Sequence, residues 1–185
     1  MVSTNSLRNG MTLSIDGELW RVDYFQHVKP GKGPAFVRTT LKGVQNGKNV
    51  DRTFRAGEEL EQAILSKRAL QYLYRDGDDY VFMDTEHFEQ STVPEPALRE
   101  GARWIKEGDT IELVFHRDVV VDVNLPTNVE LRITETEPGL QGDLVSGATK
   151  PATLETGAVV AVPLFINVGE RIKVDTRTGA YISRA

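Results

Sequence analysis

Residues 20–41 read WRVDYFQHVKPGKGPAFVRTTL, a run of prolines and glycines between two stretches rich in aromatic and β-branched residues. Such stretches favour strands, and prolines and glycines favour turns, so the segment is predicted to form a β-hairpin with its tip at residues 29–34. The glycines beside Lys32 allow backbone conformations that other residues disfavour, and the two prolines fix their own φ. Lys32 is therefore predicted to project from a narrow tip.

The charge around this hairpin is one-sided. From Tyr24 to Val50 the chain has no Asp or Glu, although its formal net charge is −5 overall. The five cations of this run are Lys29, Lys32, Arg38, Lys42 and Lys48. Such segregation is typical of a surface that contacts an anionic partner, most often phosphate. The alternative is an ordinary hairpin whose lysines only face solvent.

The composition bounds the class of protein. The chain has 185 residues, 39% of them hydrophobic, and no cysteine. It therefore has neither disulfides nor thiolate metal sites, which fits a reducing compartment. The first ten residues lack the apolar core of a signal peptide, and no stretch approaches the ~20 apolar residues of a membrane span. We expect a cytoplasmic protein that does not associate with membranes.

Turn signals separate short strands along the whole chain. The clearest are Asp16-Gly17, Asn46-Gly47, Asp76-Gly77, Gly108-Asp109, Gly169-Glu170 and Thr178-Gly179. This spacing predicts an all-β fold of small barrels. Boundaries near residues 64 and 128 give modules 1–64, 65–128 and 129–185, each expected to have its own core, with formal net charges of +2, −6 and −1. An acidic middle module is a poor RNA binder, so RNA contact is expected mainly from the first module.

A short pattern recurs in these modules. Residues 105–113 and 166–174 share a Gly-acid-x-Ile-x-aliphatic sequence, and residues 7–15 resemble both more weakly. Repeated domains or chance recurrence of a turn before a strand both explain it.

Two segments depart from the strand pattern. Residues 58–70 space their apolar side chains as a helix does, but the strong hairpin predicted at residues 70–83 starts where that helix would end. Residues 96–105 are predicted to form a short helix with Trp104 packed inward.

The sequence lacks catalytic and metal-binding patterns. The histidines lack metal-ligand spacing and are His27, His87 and His116. The acidic turn at residues 76–79 lacks the spacing of a calcium loop. A Schiff-base role for Lys32 would need a desolvated amine with a lowered pKa, the reverse of what a hairpin tip offers. We expect no enzyme, no metal and no cofactor.

Longer motifs carry a resemblance to a known family. They are FVR at residues 36–38, RTFRAGE at 52–58, YLY at 72–74, DYVFMD at 79–84, KPATLETGA at 150–158, VPLFI at 162–166 and GERIKVDTRTGAY at 169–181. Together with the Lys32 tip, they resemble the bacterial elongation factor P family over nearly the whole chain. The last motif is the most specific.

The resemblance implies an architecture and a function. It implies an SH3-like (KOW-like) barrel at residues 1–64 followed by two OB-fold barrels at 65–128 and 129–185, arranged as an L. The family acts on stalled 70S ribosomes, where it binds between the P and E sites, and it relieves arrest at consecutive prolines. The implied partners are peptidyl-tRNA, rRNA and the E-site mRNA codon, and the protein is expected to be a monomer.

The resemblance also gives roles to individual residues. Lys32 matches the residue that reaches the CCA end of the peptidyl-tRNA, and many members lengthen that residue, for example with β-lysine, through a modifying enzyme. The supporting loop matches Lys29, Pro30, Gly31, Gly33 and Pro34. The cations expected to contact RNA are Arg38, Lys42 and Lys48. Gly142 and Asp143 match the loop that faces the E-site codon.

Two positions depart from the family pattern. The codon loop commonly reads Gly-Asp-Thr, whereas Leu144 here supplies no hydroxyl. The tip ends in Pro34, where other members often have Gly, Ser or Gln. Because some members with such a loop work with an unmodified lysine, the sequence leaves modification of Lys32 open.

Two alternatives to this function are an RNA-binding OB-fold protein that acts off the ribosome and an elongation factor P-like paralogue. An off-ribosome binder would hold isolated RNA tightly, whereas the translation factor would bind free tRNA weakly.

Overall fold

The computed structural model describes residues 1–139 and 147–185. Within these ranges, sixteen strands form three sheets of six, five and five strands. The predicted all-β fold of three β-sheet domains is confirmed. Among the described residues, no helix is long and apolar enough to cross a membrane.

The first sheet is built around a long hairpin. Its strands are β1 (Val2–Ser3), β2 (Thr12–Ile15), β3 (Glu18–Val28), β4 (Phe36–Gly43), β5 (Asn49–Arg55) and β6 (Glu59–Ala63), in the order β1-β6-β2-β3-β4-β5. Alternate residues of β4 are buried, so that Val37, Thr39 and Leu41 face the core and the residues between them face outward. The predicted hairpin is β3 and β4, the two longest strands of this sheet.

Strand β6 explains the helix-like spacing at residues 58–70. Leu60 lies opposite Val2 in β1, whereas Ala63 lies opposite Thr12 in β2. Residues three apart on a strand point to opposite faces, and here both faces are covered: Leu60 belongs to the core cluster that contains Val22, whereas Ala63 belongs to a separate cluster that contains Val114. The helix-like spacing therefore comes from burial on both faces of one strand, and no helix forms there.

The second sheet contains the other predicted hairpin. Its strands are β7 (Ser66–Asp76), β8 (Asp79–Asp84), β9 (Gln90–Pro94), β10 (Thr110–His116) and β11 (Val119–Asn124), in the order β11-β10-β7-β8-β9. The hairpin predicted at residues 70–83 is β7 and β8. The helical segment predicted at residues 96–105 is α1 (Glu95–Leu98) followed by a 3-10 helix (Arg99–Arg103).

The third sheet completes the described chain. Its strands are β12 (Asn128–Thr136), β13 (Thr149–Leu154), β14 (Val159–Pro163), β15 (Arg171–Asp175) and β16 (Tyr181–Arg184), in the order β14-β13-β12-β15-β16. Its core includes Leu131, Ile133 and Ile172, which are almost completely buried.

Trp104 is buried as predicted, but in the core of the third sheet rather than in a core of its own module. A hydrogen bond also joins the segment before Trp104 to the third sheet: the Thr156 hydroxyl donates to the carbonyl of Arg103 at 2.6 Å. Contacts accordingly group residues 69–112 with residues 123–185 in one compact unit. An aromatic side chain from residues 65–128 therefore completes the core of the third sheet, so that these two modules share part of an interior.

The pattern that recurs in the sequence corresponds to a turn that is present in each of the three sheets. In each sheet a glycine with φ near +90° precedes a strand, and one residue of a neighbouring long strand exchanges two backbone hydrogen bonds of 2.8–2.9 Å with that turn. The three sets are Gly10 and Met11 with Val22, Gly108 and Asp109 with Tyr72, and Gly169 and Glu170 with Ile133. A β-bulge follows that residue in β3, β7 and β12 alike. The weak sequence similarity thus corresponds to the same local structure in all three sheets.

Trp104→Ala is expected to lower the free energy of unfolding by roughly 3–5 kcal/mol, the usual cost of truncating a buried aromatic side chain. The residue is 2% exposed, whereas Phe88 is 70% exposed. Phe88→Ala is therefore the control and should cost about 1 kcal/mol or less. Urea unfolding of the full chain measures both variants, and equally small losses would contradict the shared core.

Candidate nucleic-acid interface

The hairpin tip is a seven-residue loop beyond the last paired residues. Val28 and Phe36 form the final pair of β3 and β4, and residues 29–35 connect them. Lys32 is exposed, as are both of its glycine neighbours. The tip thus presents the lysine to solvent, as the sequence predicts.

The two glycines of the tip differ in conformation. Gly33 has φ +103°, a region that residues with a Cβ rarely adopt, whereas Gly31 has no positive φ. A Cβ built on Gly31 meets no atom within 4 Å, and one built on Gly33 meets only Pro30 Cγ at 4.0 Å. Backbone conformation, rather than lack of space, therefore requires glycine at position 33, and nothing in the structure requires it at position 31.

No anionic group of the described residues pairs with the lysines of the tip. In the described part of the chain, neither Lys29 nor Lys32 forms an ion pair or a side-chain hydrogen bond. The backbone behind the tip is held by a hydrogen bond from the Ala56 amide to the Ala35 carbonyl, 3.2 Å long. The lysine at position 32 is thus available to an external anion without breaking an internal contact.

Two of the predicted RNA-contacting cations share the outer face of β4. Arg38 and Lys42 lie on this face because they alternate with the buried residues of the strand. The Arg38 guanidinium carbon lies 5.6 Å from the centre of the Phe36 ring on the same face. Arg38 is the nearer of the two cations to the tip.

Lys48 lies at the other end of β4, in the turn that leads to β5. The Gly43 amide donates to the Lys48 carbonyl at 2.8 Å, which closes this turn. Seven residue steps separate Phe36 from Gly43, about 24 Å at ~3.4 Å per step. Arg38 and Lys42 therefore lie along β4, Lys48 lies in the turn at its far end, and the three cations do not form one cluster.

Cross-strand pairing adds residues that the sequence interpretation missed. Arg21 lies opposite Lys42, Tyr24 opposite Thr40, and Arg55 opposite Phe36. These residues belong to the same outer face, which also contains Asp51. Only the strand register reveals this set, because Arg21, Asp51 and Arg55 lie outside the acid-free run.

The acidic residues beside this face each form a hydrogen bond or an ion pair with a neighbouring side chain. Asp51 accepts a hydrogen bond from the Thr40 hydroxyl at 3.0 Å, and Asp23 pairs with Arg21 at 2.9 Å. Among residues 1–139 and 147–185, Arg38, Lys42 and Arg55 have no ion-pair partner. The face between β3 and β5 is therefore cationic where it is closest to the tip.

Gly142 and Asp143 lie outside the described residues. The flanks of that segment are closely packed: buried Lys150 donates to the Glu137 carbonyl, and a Cβ on Gly139 would collide with the Leu164 carbonyl. These contacts fix where the segment leaves and rejoins the third sheet.

Within residues 1–139 and 147–185, no group of three or more His, Asp or Glu side chains is arranged to hold a metal ion. His27 packs edge-on against Phe25, with ring centres 5.6 Å apart. Burial raises the pKa of Tyr72, and a side-chain hydrogen bond from Arg177 lowers the pKa of Asp175. Both groups belong to the second and third sheets and lie outside the hairpin.

Comparison with family models defines the class. Residues 3–60 match the "Elongation factor P (EF-P) KOW-like domain", residues 65–123 the "Elongation factor P (EF-P) OB domain", and residues 129–184 "Elongation factor P, C-terminal". The fold is thus that of a translation factor in which a KOW-like domain precedes OB-type domains. The chain belongs to the elongation factor P family and is a translation elongation factor.

Individual relatives are similar in sequence to this chain over its full length. The chain is 57% identical to elongation factor P of Acidothermus cellulolyticus over 185 residues, covering 100% of this chain and 99% of the relative. It is 55% identical to that of Microcystis aeruginosa over 184 residues, covering 100% of both.

Two solved structures of other proteins have a similar fold. Eukaryotic translation initiation factor 5A from Methanococcus jannaschii matches with a TM-score of 0.54 and 25% identity, over 66% of this chain and 92% of that chain. A translation initiation factor eif-5a family protein from Naegleria fowleri matches with a TM-score of 0.57 over 67% of this chain and 94% of that chain, and its 13% identity supports the fold alone.

Gly33→Ala is expected to destabilise the protein by about 1 kcal/mol or more, because alanine is strained at the φ of this position. Gly31→Ala is the matched control. It should be neutral or stabilising by up to ~1 kcal/mol, because alanine reduces the entropy of the unfolded chain. Denaturant unfolding measures both variants, and a loss for Gly31→Ala as large as that for Gly33→Ala would contradict the assigned conformations.

Proposed function

We propose that this chain binds the 70S ribosome between the P and E sites and stimulates peptide-bond formation, which relieves stalling at consecutive prolines. Lys32 contacts the CCA end of the peptidyl-tRNA and holds it in position for reaction. The factor acts as a monomer in the cytoplasm and supplies no reacting group of its own.

The observation that carries this proposal is the exposed, unpaired Lys32 at the end of the β3–β4 hairpin, beside a glycine whose φ of +103° shapes the loop. A lysine side chain at a narrow tip can enter a space that a broader surface cannot. Its contacts would be phosphate and 2′-hydroxyl groups, which are acceptors on every RNA strand.

Positioning alone is sufficient to explain the rate effect. Proline is a constrained nucleophile, and a nascent chain ending in proline can hold its carbonyl in a poor orientation. Holding the two reactants in attack geometry removes an entropic part of the barrier without any chemistry by the factor. This fits a tip that carries two lysines and, among the described residues, no acidic partner for either.

Other residues complete the proposed contacts. Arg38, Lys42 and Lys48 neutralise phosphates of tRNA or rRNA along β4. Gly142 and Asp143 face the mRNA codon in the E site. The exposed amine of Lys32 is accessible to a modifying enzyme, and β-lysylation there would extend its reach.

Lys32→Ala should leave stability within about 0.5 kcal/mol of the parent, because an exposed turn residue buries little surface. Its ability to relieve a proline stall should be lost. Lys32→Arg should also fail in large part, since a planar guanidinium replaces the compact amine that fits the site and that a ligase would modify. Lys29→Ala, at the shoulder of the loop, should lose less.

The measurement is in vitro translation through a run of prolines, compared with translation of a proline-free control. Full stall relief by Lys32→Ala would overturn the lysine mechanism. Tight binding of free tRNA together with no binding to ribosomes would instead favour an RNA-binding protein that acts off the ribosome.

Arg38→Gln and Lys42→Gln should each weaken binding to stalled ribosomes and reduce its salt dependence. Each lost phosphate contact lowers the slope of log affinity against log salt by about 0.7–0.9 at most. Titration of the ribosome complex at several salt concentrations gives the slope.

Glu86→Gln is the control for charge, because Glu86 is an exposed residue of the acidic second module. It should leave both affinity and slope unchanged. A loss equal to that of the two β4 variants would contradict the proposed RNA-contacting face.

A further inference from the structure

The β-bulge of β3 changes which side chains face outward. Val22 pairs with Leu41 and Tyr24 with Thr40, so that Asp23 is the extra residue of the bulge. In a regular strand, Tyr24 would lie on the same face as buried Val22. The bulge instead places Tyr24 on the outer face, where it is 55% exposed.

The neighbours of Tyr24 on this face are polar or cationic. It lies opposite Thr40, and the residues two positions away on either side of Thr40 are Arg38 and Lys42. These two cations are about 13 Å apart along the strand, at ~3.4 Å per residue. Since the two side chains start from separate positions on the strand, each can contact a separate phosphate, with Tyr24 beside the gap between them.

The acidic groups near the ring do not reverse this charge. Asp23 is paired with Arg21, whereas Asp51 accepts a hydrogen bond from the neutral Thr40 hydroxyl and keeps its charge, so the two cations of β4 face one remaining carboxylate. An exposed aromatic ring bordered by two cations is the arrangement by which proteins bind single-stranded nucleic acid, the ring stacking on a base and the cations binding the backbone.

We infer that Tyr24 stacks on an unpaired base of the RNA strand that the hairpin contacts, while Arg38 and Lys42 bind the phosphates on either side of that nucleotide. The inference rests on the proposed function, and it adds a base contact to a surface otherwise expected to recognise only the backbone. Stacking is tolerant of base identity, so this contact strengthens binding and does not select a sequence.

The second sheet offers a matched control. Tyr74 follows the corresponding bulge of β7 and is 46% exposed. It belongs to the module with a net charge of −6, where phosphate binding is unfavourable. The two tyrosines therefore share backbone geometry and exposure but differ in electrostatic surroundings.

The experiment measures binding of full-length variants to 70S ribosomes that carry a proline-stalled peptidyl-tRNA, at several salt concentrations. Tyr24→Ala should weaken binding roughly tenfold, the effect of losing one stacked base, and leave the salt slope unchanged because no phosphate contact is lost. Tyr24→Phe should bind like the parent because it keeps the ring. Tyr74→Ala should also bind like the parent.

A second readout separates stacking from indirect effects. Ultraviolet irradiation of the parent complex, followed by mass spectrometry, should show a nucleotide adduct on the peptide that contains Tyr24 and none on the peptide that contains Tyr74. Circular dichroism should show that each variant is folded.

Parent-like affinity of Tyr24→Ala would overturn the inference, as would a loss for Tyr24→Phe equal to that for Tyr24→Ala, or a reduced salt slope for Tyr24→Ala. These outcomes leave the proposed function intact if the parent relieves the stall and Lys32→Ala does not. Failure of the parent itself to bind these ribosomes overturns the proposed function, and this inference with it.

Discussion

Each sheet depends on the exchange of two backbone hydrogen bonds between a glycine turn and one residue of a long strand. The turn brings a second strand alongside, and the long strand bulges at the next residue. Because buried amide and carbonyl groups need partners, this exchange fixes the register of the strands on both sides. In the first sheet the exchange aligns β3 with β2, and β3 continues from there into the hairpin that carries the lysine tip.

Local sequence predicts most of the fold, because turns and alternating strands are determined by neighbouring residues. The hairpins at residues 20–41 and 70–83 and the helical segment near Trp104 are examples. Prediction fails where burial is set by distant parts of the chain. Residues 58–70 resemble a helix only because Leu60 and Ala63 are buried in different clusters on opposite faces of β6, and the partners of Trp104 lie in another module.

The candidate site shows the same limit. The position of Lys32 is evident from its flanking glycines and prolines, but their sequence does not show that only Gly33 adopts a positive φ. The acid-free run identifies Arg38 and Lys42, whereas Tyr24 and Arg55 join them only through cross-strand register. A bulge reverses the alternation by one residue, and no local pattern in the sequence marks it.

The shared core around Trp104 bears on how this family can diverge by recombination. An exchange of residues 129–185 alone would combine a foreign barrel with an indole shaped to fit the original one. The natural unit of exchange is therefore larger than one barrel and includes the helical segment that carries Trp104. Chimeras joined at residue 128 should inherit a mismatched interior around Trp104, and chimeras joined within residues 66–124 would divide the second sheet.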